Sequence, residues 1–336
     1  MTFAARSLID GVSNTVLAVA HDTSPYVTAY AWENGFGAKY ADPSVLPSGD
    51  VSSVTFSPSK QNIAITTFGS PLVAVYTWSN GFGSKYADPA TPPVGSAYSV
   101  TFNPTETAIA VTHASSPYIS TYPWTSAGFG AKYANPATLP TGAVFSSAFS
   151  PDGATIALAI NSSPYVSAYP WSAGFGTKYA DPALFPAGIG VSVQFSPNGK
   201  DIAVGHGGSP YVTVYPWASG FGAKYADPAT LPTGTGNSVS FSPTGATLAI
   251  AHATSPYVTA YPWAAGFGTK YADPATLPTG VGTGVAFSAS GKEIAVSHIT
   301  SPYVSAYSWS NGFGAKYANP STLPTGNAND LAWKAP

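Results

Sequence analysis

Five imidazoles, seven ammonium groups and seven indoles recur at fixed places in this chain, and they carry most of the chemistry its side chains could do. His21, His113, His206, His252 and His298 each stand three residues before a Ser-Pro pair, and Thr67 and Ile160 fill the same place in two further copies. Neutral imidazole is a common metal ligand, so a ring of them near one face invites a metal reading. Geometry argues against it. Equivalent places in repeats of this length fall too far apart for one ion, whose Zn–N bonds are about 2.0 Å. No cysteine or carboxylate recurs beside them from repeat to repeat. The expected role is a local hydrogen bond at a strand end, with no metal and no other cofactor.

The ammonium groups are Lys39, Lys85, Lys132, Lys178, Lys224, Lys270 and Lys316, more than half of the twelve basic residues. Asp follows three residues later in five copies (Asp42, Asp88, Asp181, Asp227, Asp273), and Asn135 and Asn319 follow in the others. The acids largely cancel the field of the lysines. Lys on an outer strand also discourages another strand from adding on, so edge protection is the expected role.

The indoles are Trp32, Trp78, Trp124, Trp171, Trp217, Trp263 and Trp309, each preceding a Gly-Phe-Gly bend. Aromatic faces beside a few polar groups suit a sugar ring, and seven equal sites would give avidity. These seven are the candidate binding residues. The competing reading wedges them between neighbouring units, because large aromatics dominate burial. No catalytic set emerges: no G-x-S-x-G stands on a strand-to-helix turn, and carboxylates are spread once per repeat instead of converging. Departures from the repeat are mild: Thr67-Phe68, Leu72, Pro92-Pro93, Leu184-Phe185 and one extra residue between Trp124 and Phe129.

The elements that must position these groups follow from one phrase, SPYVTAYAWENGFGAKYADP, whose copies begin at Ser24, Ser70, Ser116, Ser163, Ser209, Ser255 and Ser301. Within one period, GNSVSFSPTG, ATLAIAHATSP, YVTAYPW and AAGFGTKYADP each read as a short strand. Their alternating or apolar runs stop at Gly, Pro, Ser and Thr. Four strands in a repeat of 40 to 50 residues describe a propeller blade. A single blade cannot bury its own two faces, and packing blade on blade in a ring buries both.

The first-strand runs Gln194-Phe195-Ser196-Pro197-Asn198-Gly199 and Ala148-Phe149-Ser150-Pro151-Asp152-Gly153 resemble the WD-repeat β-propeller family. Tyr30, Tyr76, Tyr122, Tyr169, Tyr215, Tyr261 and Tyr307 replace that family's third-strand Trp, and its Trp-Asp dipeptide is missing. Its hydrogen-bond set is therefore not carried over. The SPY, PW, GFG and KYADP wording is similar to repeats of bacteriophage-encoded proteins.

The fold expected is all-β: a seven-bladed β-propeller of four-stranded antiparallel blades, one domain over 1–336. The last repeat is incomplete, and its missing part starts the chain. The proline of Leu-Pro sits nine residues before the first-strand Phe in Pro47/Phe56, Pro140/Phe149 and Pro232/Phe241, and Pro324/Trp333 keep that spacing. A C-terminal innermost strand, 328–333, is therefore predicted to join the N-terminal blade and close the ring. Thr2-Phe3 is the alternative source, and residues 1–13 are otherwise a tail or an added edge.

Charged residues make up 8% of the chain, with a net charge of -2, which supplies no basic face for nucleic acid. No apolar run approaches the ~20 residues of a membrane helix, and no signal peptide is recognised, so the chain reads as soluble, with no membrane insertion. There is no cysteine. The expectation from these features is a non-enzymatic binding or structural module. It would meet a protein or glycan surface, in a phage virion or at a host surface. The alternatives are a multivalent lectin built on the seven tryptophans and an enzyme with a central-channel site. The small inner-strand residues Ser52, Ser238, Gly282 and Gly284 point to an open channel.

Overall fold

Alternation in strands stopped by turn residues does produce short antiparallel sheets here. The computed structural model describes residues 15–336, and among them all regular structure is β-strand. Seven antiparallel sheets form, one per repeat. Blade 1 contains Val16–His21, Val27–Trp32 and Phe36–Lys39. Its innermost strand is Ala328–Lys334 from the other end of the chain, with Leu17 opposite Trp333. The C-terminal closure is therefore the one used. The Thr2-Phe3 alternative and the tail lie outside the described residues.

The inner strands of blades 2 to 7 are Val51–Phe56, Ala97–Phe102, Val144–Phe149, Gly190–Phe195, Gly236–Phe241 and Gly282–Phe287. Neighbouring inner strands pack side by side all the way round the channel. The outer strand is the weakest element. It runs four residues in blades 1, 2 and 7 and two in blade 3. In blades 4, 5 and 6 it shrinks to single bridges, Trp171–Phe175, Trp217–Phe221 and Trp263–Phe267. Gly and Pro crowd this stretch, and both weaken ladders.

The hydrophobic core is divided into seven wedges, one between each pair of adjacent blades. The wedge between blades 6 and 7 holds Val258, Val285, Phe287, Ile294, Tyr307 and Trp309; that between 7 and 1 holds Leu17, Val19, Tyr30, Trp32, Val304 and Leu331. Second strands such as Ile63, Ile109 and Leu248 are fully buried, because a propeller covers both faces of each sheet. The tyrosine at the third-strand place is also fully buried in every blade. A buried hydroxyl needs a partner, and each finds one in the preceding blade. Tyr122 donates to the Thr91 carbonyl at 2.7 Å and Tyr261 to the Thr230 carbonyl at 2.6 Å. Tyr30 donates to the Thr322 carbonyl at 2.8 Å and so helps lock the ring shut.

Candidate active site

The channel wall departs from simple strand alternation. In each inner strand the register slips after the first residue. Ala97 pairs with His113 and Ser99 with Thr112, leaving Tyr98 as an extra residue. The same slip leaves Ser52, Phe145, Val191, Asn237, Thr283 and Asn329 extra. A β-bulge of this kind re-aims side chains. Here it sends two successive residues toward the channel instead of one. Together they line a cavity of about 560 Å³. It opens on the face that carries the Ser-Pro turns, where Phe68 and Ile189 stand at its rim.

The residue after each bulge forms a ring of its own: Ser53, Ser99, Ser146, Ser192, Ser238, Gly284 and Asp330. Ser146, Ser192 and Ser238 stitch one blade to the next. Ser192 Oγ accepts from the Val239 N–H at 3.2 Å, and Ser238 Oγ accepts from the Val285 N–H at 3.2 Å. Blades 7 and 1 break the rule together. Gly284 has no hydroxyl to offer the Leu331 N–H, which instead donates to Asp330 Oδ1 at 2.8 Å. Asp330 Oδ2 takes the Val54 N–H at 3.1 Å, as a ring serine would. A Cβ on Gly284 would lie 2.7 Å from Ser297 Oγ and 3.3 Å from Asp330 Oδ1, so the missing side chain leaves room for both.

Among the described residues Asp330 is the only acid lining this cavity, and no Lys, Arg or His of them lines it. Burial pushes its carboxyl up to about 6, against the hydrogen bonds from Val54, Ser53 and Leu331 that favour the anion. A carboxylate offers about four acceptor positions. Three are taken by these protein donors, which leaves room for one more. A carboxylate pushed up to about 6 beside a cavity is the equipment of a general base.

The bulge positions divide the channel into two arcs. Asn237, Thr283, Asn329 and Ser52, in blades 6, 7, 1 and 2, are polar. Tyr98, Phe145 and Val191, in blades 3, 4 and 5, are apolar or aromatic. The seven copies thus differ strongly in the place where a ligand would meet them all.

The predicted site residues lie elsewhere. The seven tryptophans are 3% to 9% exposed and do not converge. Each sits in its own blade interface. Trp217 meets Tyr179 of the preceding blade at 5.1 Å, Phe195 at 5.7 Å and Phe221 at 5.1 Å, all edge to face. Trp32 makes the equivalent contacts with Tyr317, Trp333 and Phe36. The lysines pair with the Asp or Asn three residues on, as Lys39 with Asp42 and Lys316 with Asn319.

The histidines are fully buried. Each Nε2 is bonded to a Ser or Thr hydroxyl seven residues on: Thr28, Ser120, Thr213, Thr259 and Ser305, at 2.8 to 3.0 Å. Burial pushes all five down to about 4, so they are neutral at physiological pH. In blade 2 both partners are lost, to Thr67 and Ala74. In blade 4 only the histidine is lost, to Ile160, and Ser167 Oγ is left buried without a partner.

No protein-family model and no curated protein matches the chain. Solved structures do match. A candidate 6-phosphogluconolactonase of Bacteroides uniformis is 15% identical, with a TM-score of 0.71 over 95% of this chain and 99% of that one. A second, of Bacteroides fragilis, is 13% identical, with a TM-score of 0.74 over 98% and 100%. The periplasmic gluconolactonase of Pseudomonas aeruginosa is 15% identical, with a TM-score of 0.68 over 96% and 99%. Identity this low establishes a shared fold.

Two expectations are corrected by these findings. The first is a non-enzymatic module, virion-associated or host-contacting. Solved propellers that match nearly the full chain carry lactonase names, and the channel of this chain gathers unlike groups around one carboxylate. The second is the WD-repeat and phage resemblance, of which the propeller architecture is the part that the comparisons support.

Asp330 and the apolar arc were missed by reading for motifs. A signal existed: the spacing that aligns Trp333 with Phe56 also places Asp330 opposite five serines and a glycine.

Proposed function

We propose that this protein is a hydrolase of uncharged lactones, acting in the channel with Asp330 as general base. The observation that carries the reading is a single carboxylate set into a ring otherwise built of serines and a glycine. The full-length fold likeness to lactonase-type propellers supplies the substrate class.

The chemistry asked of the site is small. Asp330 accepts a proton from a water whose oxygen attacks the lactone carbonyl carbon. The tetrahedral oxyanion collapses, the ring C–O bond breaks, and the protonated Asp330 returns its proton to the leaving alkoxide. One lactone and one water give one hydroxy acid. Asn329 spends one amide N–H on the Val51 carbonyl at 2.9 Å and keeps a second for a developing oxyanion. Among the described residues no cation lines the cavity, which speaks against a phosphorylated substrate.

The test is lactone hydrolysis by pH-stat, with glucono-δ-lactone, its 6-phosphate and unsubstituted δ-valerolactone. Wild type is expected to turn over the uncharged compounds in preference to the phosphate. Asp330→Asn is expected to lose at least ~100-fold, the usual contribution of a positioned base. The double variant Gly284→Ser with Asp330→Ser should lose as much while keeping a near-native melt once Ser297 Oγ turns aside, because blade 2 already pairs Ser53 with the hydroxyl residue Thr66 where blade 7 pairs Gly284 with Ser297. Turnover of none of the three, or full activity in both variants, refutes the proposal.

A further inference from the structure

The two arcs of the channel differ in what they do for the fold. In four blades the bulge side chain donates to a carbonyl of the next inner strand. Ser52 reaches Ala97, Asn237 reaches Gly282 and Thr283 reaches Ala328, at 2.7 to 2.8 Å; Asn329 reaches Val51 at 2.9 Å. These bonds tie neighbouring blades together at the channel wall. Blades 3, 4 and 5 carry Tyr98, Phe145 and Val191 there, and none makes that bond. Stability alone would favour the tie in all seven.

The three departures are consecutive round the ring, so their side chains form one surface. It is extended by two apolar residues on the rim. Phe68, 46% exposed, packs edge-on to Tyr98 at 6.1 Å, and Tyr98 packs edge-on to Phe145 at 4.9 Å. Ile189, 44% exposed, stands beside the cavity just before the blade 5 inner strand. In a ring of seven, the blades farthest from blade 1 are blades 4 and 5. Phe145 and Val191 therefore face Asp330 across the channel. A ligand whose ester lies at Asp330 must present its other end to this apolar wall.

Resting on the hydrolase reading, we infer that the lactone this channel takes carries an aryl or alkyl group, seated on the arc of Tyr98, Phe145 and Val191 across the channel from Asp330. A fully hydroxylated sugar lactone would leave hydroxyls unpaired against that arc, which costs affinity. An apolar group there gains by leaving water.

The experiment uses dihydrocoumarin as aryl lactone, glucono-δ-lactone as polar comparator, and the lactam 3,4-dihydroquinolin-2(1H)-one as a probe that binds without turnover. The variants are Tyr98→Ser and Phe145→Ser, which install the residue blade 2 already carries as Ser52. Both should melt no lower than wild type. Each is expected to weaken lactam binding, read by calorimetry, at least tenfold. Each should raise the KM for dihydrocoumarin with little change in kcat, and move glucono-δ-lactone the other way, toward a lower KM, because a hydroxyl then meets its hydroxyls. Lactam binding that is absent, or equal in wild type and variants, overturns the inference. So does an equal loss on both lactones. If no lactone is hydrolysed but the lactam still binds and is lost in the variants, the arc stands as a ligand site and the hydrolase reading falls.

Discussion

Replacing Asp330 by asparagine removes a titration while nearly keeping a shape, and the structure sets the size of the effect. In the fold, burial holds this carboxyl at about 6 against an ordinary value of 3.8. The folded state thus binds the proton more tightly than the unfolded chain does. The contribution is fully favourable below the unfolded value. It is lost as pH rises through the window from 3.8 to 6, and constant above it. A gap of about 2 units at ~1.4 kcal/mol per unit is about 3 kcal/mol, of which roughly half falls between pH 5 and 7.5. Asparagine does not titrate. It also places an amide N–H near the Leu331 N–H, a penalty that is the same at every pH. Urea denaturation of both proteins across that range should show the variant gaining about 1.5 kcal/mol on the wild type as pH rises. Other groups titrate equally in the two and cancel. A difference that stays flat with pH would mean that Asp330 ionises as it does in water, and the reasoning from its burial would fail. A wild-type pH–rate profile should in turn show a limb near 6.

The five histidines work in the opposite direction. Held near 4 in the fold against 6.5 outside it, they contribute stability that is present above pH 6.5 and lost as pH falls toward 4. The slope reaches at most about 7 kcal/mol per pH unit if all five take up protons on unfolding. Circular dichroism during acid titration should therefore show cooperative unfolding within this window, and a fold intact at pH 4 would contradict it. The histidine–hydroxyl pair supplies its own control. Ser120→Ala should cost about 1–3 kcal/mol by leaving the His113 ring nitrogen unpaired, whereas Ser167→Ala should be neutral or stabilising, because that hydroxyl already lacks a partner. Urea midpoints check both, and equal losses would refute the assignment.

The buried polar pairs could be read further from sequence than the site could. His113 and Ser120 lie seven residues apart on adjacent strands joined by one turn, and their joint replacement by Thr67 and Ala74 in blade 2 is visible in a single chain. The tryptophans were ambiguous for a physical reason. An indole beside Lys, Asp and Tyr suits a sugar or a packed interface equally well, and only the neighbouring blade decides. Tyr179 and Phe195, far from Trp217 in sequence, cover it.

The repeat alone determined the number of blades, the strand content of each and the way the ends meet. Those properties follow from local rules: which residues extend a strand, which stop it, and how far Pro324 stands from Trp333. Tertiary structure decided what faces the channel. A slip of one residue against the neighbouring strand turns Tyr98 and Phe145 inward together with the serines that follow them. The same slip in blade 1 depends on pairing His21 with Ala328, from opposite ends of the chain. The burial that lifts Asp330 toward neutrality arises only when the blades on either side close around it, since no stretch of sequence carries that environment by itself.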